Sequence, residues 1–274
     1  MKLALSMLAL CACGSDSGGA APDASTTNTW QPLIKKGWTL EPGGEKTSDL
    51  QIDTLDRDVV IGGMRPLSPV GTHHTLLFRG TSGTNMIYAS GVGTNELLFP
   101  PGTAMRIPAG TVLGLQLHVF NQSDNTITGQ SGIEMLEVDP STITEEADMF
   151  LPGPRDLQIM PGQATTQSAS CTVKTPYKLF ALFPHMHQLG THMKTTLIQN
   201  GVERVLNDAP YDFEHQEVLS FDPIQVNPGD QIKSECTWMN PGPDIVTYGE
   251  SSTTEMCYSI LYRFPRGTDE FCDQ

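Results

Sequence analysis

Histidine and methionine carry the first chemical signal in this chain. Five of the seven histidines fall into three groups along the 274 residues. The groups are His73 with His74, His118 alone, and His185 with His187. Met256 lies in a later strand-like stretch. Imidazole binds zinc, copper, iron and nickel, whereas a thioether among the donors shifts the preference toward Cu(I). These donor types therefore favour copper.

The local backbone must bring the donors together. Alternate residues of a β-strand point to the same face, so His185 and His187 can bind one ion. Adjacent residues point to opposite faces, so His73 and His74 can chelate only at a strand start or a β-bulge. Gly71 comes shortly before them, and we expect a strand to start here. We also expect one of the two rings to bind through Nδ1 and the other through Nε2.

The spacing of turn residues predicts an all-β chain. The sequence contains 26 glycines and 20 prolines, and no segment has a sustained helical period. Pro140, Pro152 and Pro154 lie around an acidic pair and mark a boundary. We therefore predict two tandem antiparallel β-sandwich (jelly-roll-like) domains, residues 30–145 and 146–274, each with one donor set. The predicted strands include residues 59–62, 75–78, 112–121, 177–183, 193–199, 216–221, 231–237 and 257–264.

One predicted strand also orients a histidine. Within residues 112–120 the leucines and Val119 occupy alternate positions and face the core. Gln116 and His118 occupy the positions between them and share the other face.

The amino terminus has the features of an exported lipoprotein. Residues 1–12 are too short to span a bilayer, and we interpret them as a signal peptide. Cys13 follows in a stretch that resembles a bacterial lipobox and is the expected lipidation site. Residues 13–29 lack apolar periodicity and are expected to form a flexible tether. We expect the protein to be lipid-anchored in the bacterial cell envelope, on its periplasmic or surface side, with only the lipid in the membrane.

Cysteine count and charge narrow the class of protein. Four cysteines follow the tether, and an even number in an exported chain predicts two disulfides with three possible connectivities. Their spacing has no Cys-x-x-Cys, which argues against a zinc knuckle or a thioredoxin-type pair. The net charge of −15 excludes nucleic acid as the partner. We expect a monomer. The cysteines are Cys171, Cys236, Cys257 and Cys272.

Six short motifs follow one another along the chain. They are Arg65-Pro66-Leu67 with His73-His74, Ile87-Tyr88-Ala89, Gln116-Leu117-His118, His185-Met186-His187, Pro228-Gly229-Asp230 with Cys236, and Glu255-Met256-Cys257. Their order resembles the copper type II, ascorbate-dependent monooxygenases, the family that contains the peptidylglycine α-hydroxylating and dopamine β-hydroxylating enzymes. The resemblance runs from residue 50 to residue 272.

The resemblance implies two copper ions and their ligands. The matching residues are His73, His74 and His118 for the electron-storing copper, Gln116 beside it, and His185, His187 and Met256 for the copper that binds oxygen and activates substrate. The second set is then catalytic. The implied reaction hydroxylates a C–H bond of a small molecule with O2, and an external reductant such as ascorbate supplies two electrons. No protein general base is required.

The resemblance also selects among the cysteine pairings. It implies a disulfide between Cys171 and Cys272 and another between Cys236 and Cys257. His192 and His215 match no ligand, and we expect a surface or pocket-lining role for each.

The chain departs from the peptide-amidating members where those bind substrate. They carry an arginine two positions before the His-x-His, and an asparagine and a tyrosine after the Met-Cys pair. Here the corresponding residues are Phe183, Tyr258 and Ile260. Without the guanidinium, a substrate carboxylate loses its charge-assisted hydrogen bonds. We therefore expect a neutral or cationic substrate with an apolar or aromatic portion, bound in a pocket that these three residues line.

Two alternatives use the same donors. A copper-binding lipoprotein for storage, sensing or delivery would share every ligand, and a substrate cleft at Phe183 would argue against it. A zinc hydrolase would need an acidic third ligand beside His185 and His187. Glu255 is the candidate, but on a strand it faces away from Met256.

Overall fold

The computed structural model describes residues 29–83, 85–249, 251, 253–268 and 271. The predicted signal peptide, Cys13 and the predicted tether up to residue 28 lie outside the described residues, as does Cys272. The described chain forms β-strands and one short 3₁₀ helix, Pro140–Thr142. This confirms the all-β class. Among the described residues, no helix has the length and apolar character needed to cross a membrane.

The strands before residue 147 form two sheets. Their bounds are β1 (Trp30–Leu40), β2 (Glu45–Thr47), β3 (Gln51–Thr54), β4 (Val59–Leu67), β5 (Thr72–Arg79), β6 (Met86–Ser90), β7 (Leu97–Leu98), β8 (Thr103–Ile107), β9 (Val112–Phe120), β10 (Ile127–Glu137) and β11 (Glu145–Glu146). One sheet has the order β1-β10-β4-β8-β11, with β7 beside β4. The other has the order β2-β9-β5-β6, with β3 beside β9. The pairings are antiparallel apart from β8 with β11.

The strands after residue 147 form two four-stranded sheets and one pair. Their bounds are β12 (Asp148–Phe150), β13 (Gln158–Ile159), β14 (Ala164–Thr172), β15 (Tyr177–Met186), β16 (Gly190–Gln199), β17 (Val202–Pro210), β18 (Leu219–Val226), β19 (Gln231–Met239), β20 (Val246–Thr247) and β21 (Cys257–Phe264). The sheet orders are β12-β21-β15-β18 and β14-β19-β16-β17, and β13 pairs with β20. All these pairings are antiparallel.

The two halves of the chain share apolar packing although they share no sheet among the described residues. One hydrophobic cluster contains Leu115 and Ile133 from the first half and Phe180 and Tyr262 from the second. Across the contact, the ring of Phe99 lies 5.3 Å from that of Phe180. Removing this apolar surface from water stabilises the contact between the halves. The division into two sandwich domains at residue 145 stays a prediction.

The predicted strands agree with the structure where apolar residues alternate. In β9 the leucines at alternate positions are buried, while Gln116 and His118 lie on the more open face, as expected. The predicted strand at 216–221 is wrong at its start, because β18 begins only at Leu219. The residues before Leu219 bind the first half of the molecule instead. Gln216 donates its backbone N–H to the Val92 carbonyl at 3.2 Å.

Candidate metal centre

The first histidine cluster forms where β5 begins. Thr72 of β5 lies opposite Val119 of β9, His74 lies opposite His118, and the register shifts between Thr72 and His74. This irregularity falls at His73, which confirms that the adjacent histidines need a strand start or bulge. A bulge lets two neighbouring side chains turn toward one face. The three histidines thereby meet on one side of the sheet.

The three rings turn the same nitrogen inward. Nδ1 of His73 lies 3.0 Å from Nδ1 of His74, which lies 3.4 Å from Nδ1 of His118. One ligand atom from each residue lies within 4.8 Å of the others. The expectation that His73 and His74 would use different nitrogens is therefore wrong. The bulge aligns the two rings well enough for both Nδ1 atoms to point at the same place.

The outer nitrogens of this cluster have partners of their own. His73 Nε2 lies 2.9 Å from Glu214 Oε2, and His118 Nε2 lies 2.6 Å from Glu45 Oε1. Because carboxylates only accept, each ring presents an N–H at Nε2 and a lone pair at Nδ1. A carboxylate behind an imidazole orients the ring and raises its basicity as a metal ligand. His73 and His118 can therefore each donate the Nδ1 lone pair to a metal ion.

His74 is held neutral. Burial lowers the pKa of His74 well below its usual value, and the neighbouring histidines lower it further. Phe213 contributes to this burial, since its ring lies 5.2 Å from the His73 ring and 4.7 Å from the His74 ring. A metal ligand must be the neutral imidazole, so the environment favours ligation over protonation.

The second pair lies at the end of β15. His185 is opposite Tyr258 of β21, and His187 follows the last strand residue. The two rings lie 5.3 Å apart and nearly perpendicular. Burial lowers the pKa of His185 to about 3 and also lowers the pKa of His187. Both imidazoles are neutral at pH 7.

In this second pair, Nε2 and not Nδ1 is the nitrogen available to a metal. His187 donates from Nδ1 to the Thr254 carbonyl oxygen at 2.9 Å, and His185 Nδ1 lies 3.1 Å from Gln216 Oε1. Both acceptors require Nδ1–H, which leaves the Nε2 lone pairs for a metal. The second pair thus presents Nε2, whereas the first cluster presents Nδ1.

Met256 reaches this site from the position immediately before β21. It lines the same cavity as His185 and His187. The next residue, Cys257, forms a disulfide with Cys236 of β19, which confirms the second predicted pairing. The covalent bond fixes the backbone directly beside Met256. The predicted pairing of Cys171 with Cys272 involves a residue outside the described ranges and stays a prediction.

Glu255 joins the methionine segment to the histidine segment. Its Oε2 accepts hydrogen bonds from the His187 backbone N–H and the Trp238 indole, both at 2.9 Å. Its Oε1 accepts from the Leu189 backbone N–H at 2.7 Å. Burial raises the pKa of Glu255 above its usual value, and these hydrogen bonds offset part of that rise. Both oxygens face donors of the protein, so the carboxylate is not placed to act as the acidic ligand of a zinc hydrolase.

Both donor sets open into one cavity of about 600 Å³. Gln116 lines it beside His118, as expected from the strand alternation. The three predicted pocket residues also line it, and each is nearly fully buried. They are Phe183, Tyr258 and Ile260. The two other histidines do not line it: the partly exposed His192 pairs with Asp208, and the exposed His215 pairs with Asp212.

The sequence did not reveal the residues that hold the histidine rings from outside. Three of them, Phe213, Glu214 and Gln216, belong to the segment between β17 and β18. In the sequence they form part of a run of aromatic and polar residues between two strands. Phenylalanine, glutamate and glutamine are not typical copper ligands, so this run did not indicate a role at the metal site. Glu45 and the Thr254 carbonyl gave no signal, because only contacts between distant parts of the chain bring them to the rings.

The comparisons with known families agree with the motif order. The model "Copper type II ascorbate-dependent monooxygenase, C-terminal domain" matches residues 145–274. This match and the relatives below support the copper type II ascorbate-dependent monooxygenase family. A solved structure of particles derived from infectious bursal virus aligns over 89% of this chain and 72% of its own, with 11% identity and a TM-score of 0.22. That similarity is too weak to support any argument.

Three curated relatives illustrate the sequence similarity. Peptidyl-glycine alpha-amidating monooxygenase A of Xenopus laevis is 25% identical over 246 residues, which cover 76% of this chain and 25% of the relative. Dopamine beta-hydroxylase of Canis lupus familiaris is 26% identical over 45% of this chain and 21% of its own. "Putative DBH-like monooxygenase protein 2" of Homo sapiens is 27% identical over 35% of this chain and 20% of its own. The chain thus spans at most about a quarter of these relatives.

The bonds to Glu255 lead to a stability prediction. We expect Glu255→Gln to lower the free energy of unfolding of the metal-free protein by about 1–3 kcal/mol, because an amide NH2 would face N–H donors that now bind an oxygen. The measurement is urea unfolding in the presence of a chelator. The control is Glu235→Gln, since Glu235 forms a partly exposed pair with Lys233 that is worth only about 0–1 kcal/mol. Equal losses in the two variants would contradict the role given to Glu255.

Proposed function

We propose that this protein is a copper-dependent monooxygenase that hydroxylates a C–H bond of a small organic substrate with O2 and an external reductant such as ascorbate. The observation that carries the proposal is the shared cavity, into which both donor sets open beside apolar residues. The family match over residues 145–274 supports the same reaction class.

The donor chemistry fits copper at both places. The first cluster offers three imidazole nitrogens and no carboxylate, because Glu214 and Glu45 bind the outer nitrogens. The second pair offers two imidazoles, with the Met256 thioether on the same cavity. Imidazole together with thioether favours Cu(I) over magnesium, calcium or manganese, which prefer oxygen. We infer one copper in each set, two in all.

Each group of residues has a distinct task in the proposed reaction. His73, His74 and His118 hold the ion that stores an electron, and His185, His187 and Met256 hold the ion at which substrate reacts. Copper, when bound, supplies the one-electron and oxygen chemistry. Phe183 and Ile260 place an apolar surface beside His185 and limit the access of water to it. Oxygen chemistry in a drier site is better protected from side reactions.

The cavity wall indicates the substrate class. Apolar side chains from both halves line it, among them Leu76, Phe78 and Phe183. None of the described lining residues is lysine, arginine, aspartate or glutamate. The Phe183 ring lies 6.3 Å from the His185 ring and nearly parallel to it, so it occupies space beside that ligand. We infer a substrate that is neutral where it enters the cavity and carries an apolar or aromatic portion.

Export and anchoring are part of the proposal. The disulfide between Cys236 and Cys257 is typical of proteins that fold outside a reducing cytosol. A bacterial lipobox at Cys13 would then hold the protein at the cell envelope through its lipid.

A non-catalytic copper-binding protein would share the ligands. The cavity distinguishes the two, since a carrier or store has no need of a 600 Å³ space lined by aromatic side chains next to its metal. That space is of the size that small-molecule sites usually have. The observation favours the enzyme.

The two donor sets predict the copper content of two variants. We expect the full chain to bind two Cu(I) ions, and His118→Ala and Met256→Ile each to retain one tightly bound ion, because the two sets share no ligand. Metal analysis after dialysis against a mild chelator gives the content. His192→Ala is the control, since His192 does not line the cavity and is partly exposed. Loss of both ions in either variant would argue against separate sites.

The missing arginine predicts the substrate preference. A carboxylate brought next to Phe183 would be desolvated without a cation, which costs on the order of 2–5 kcal/mol. We therefore expect a neutral aromatic compound with a benzylic C–H to be hydroxylated faster than a glycine-extended peptide. Oxygen consumption and product formation are measured with equal copper, ascorbate and O2. Faster hydroxylation of the peptide would refute the substrate class, and no turnover with a broad neutral set would favour the copper-binding alternative.

A further inference from the structure

One side chain touches both histidine sets. Gln216 lies between β17 and β18 and is 2% exposed. Its Nε2 lies 3.1 Å from His74 Nε2, and its Oε1 lies 3.1 Å from His185 Nδ1. A single amide therefore connects a ligand of the first set with a ligand of the second.

The orientation of this amide is set by a third contact. Gln216 Nε2 donates to the Phe213 carbonyl oxygen at 3.0 Å. A carbonyl oxygen only accepts, so the end of the amide near Phe213 must be the nitrogen. In this orientation the amide donates to His74 Nε2 and accepts from His185 Nδ1–H. His74 then carries its own proton on Nδ1, the atom that faces the first cluster.

The surrounding backbone keeps Gln216 in place. Its carbonyl oxygen accepts from Thr94 Oγ1 at 2.6 Å. Val218 lies two residues after Gln216. Its backbone N–H donates to Asn95 Oδ1 at 2.8 Å, and its carbonyl oxygen accepts from Asn95 Nδ2 at 3.1 Å. A Cβ at position 91 would lie 3.1 Å from Gln216 Nε2, so Gly91 leaves the room that the amide occupies. Thr94 thus holds the backbone of Gln216 itself and Asn95 holds that of Val218, and neither bonds the side-chain amide.

We propose that Gln216 is a positioning residue through which metal occupancy of the first set weakens metal binding at the second. The inference rests on the proposed function in one respect, that both sets bind copper. If His74 bound an ion through Nδ1, its ring proton would have to lie on Nε2, which would then be a donor. Two donors then face the amide from opposite sides, and its one oxygen must serve both.

The consequence for the second set follows from this competition. When Gln216 Oε1 turns toward His74 Nε2–H, the bond that holds His185 Nδ1–H lengthens or is lost. The partner of the outer nitrogen orients a ligating imidazole, and its loss lowers metal affinity. The first set keeps its remaining partners, Glu214 and Glu45, so the effect falls mainly on the second.

Cu(I) affinities of four proteins test the proposal. The second-site Kd is measured by competition with a Cu(I) chelator in the unmodified chain and in His118→Ala, and again with Gln216→Leu in each background. We expect first-site loading to weaken second-site binding about fivefold or more with glutamine present. The relevant ratio is the second-site Kd in the His118-containing protein divided by that in His118→Ala. With leucine in place of Gln216 we expect this ratio to fall. Repulsion between two cations acts in both backgrounds, so the difference between the two ratios measures the role of Gln216.

A control variant separates the amide from the contact between the halves. Asn95→Ala removes the bonds to Val218 and leaves Gln216 intact, so its ratio should match that of the unmodified chain. A second readout needs no copper. Nitrogen NMR of the imidazoles in the metal-free protein should show His185 as the Nδ1–H form, and this preference should weaken in Gln216→Leu.

The outcomes separate this inference from the proposed function. Equal ratios with glutamine and leucine, or a ratio that Asn95→Ala removes as fully as Gln216→Leu does, would overturn the inference and leave copper binding intact. Absence of Cu(I) binding at either set in the unmodified chain would instead overturn the proposed function.

Discussion

An imidazole can present one nitrogen to a metal only when its other nitrogen is satisfied elsewhere, and the arrangement of this centre depends on that constraint. Carboxylates hold the outer nitrogens of His73 and His118, and a backbone carbonyl holds that of His187. The inner lone pairs of these three rings are then available to a metal. Burial keeps His74 and His185 neutral, so neither ring carries a positive charge that would repel a cation.

The rest of the fold serves to bring these outer partners within reach. Glu45 comes from β2, which pairs with β9 beside His118. Glu214 comes from the other half of the chain, in the segment that also places Phe213 against the histidine rings. The apolar contact between the halves is therefore part of the metal centre. A loss of packing between them would free the outer nitrogen of His73 as well as open the cavity.

The donors themselves could be predicted from the sequence, because histidine and methionine are specific in type and strand alternation is a local rule. Gln116 and His118 share a face for that reason, and the irregularity at His73 follows from two adjacent ligands on one strand. The inward nitrogen at His74 could not be predicted, since it depends on how far the bulge turns the ring. The sequence pattern predicts a strand that starts at Gln216, whereas hydrogen bonds to the other half keep this residue outside β18.

The central claim is that two sets of imidazoles, one of them with a thioether, bind copper side by side in one cavity. Copper K-edge X-ray absorption on the Cu(I)-loaded full chain tests it most directly. The account predicts scattering from imidazole nitrogens at both ions and from one sulfur for every two coppers, because Met256 binds only the ion in the second set. A spectrum with nitrogen and oxygen scatterers and no sulfur would contradict the assignment of Met256 and with it the oxygen-reactive site.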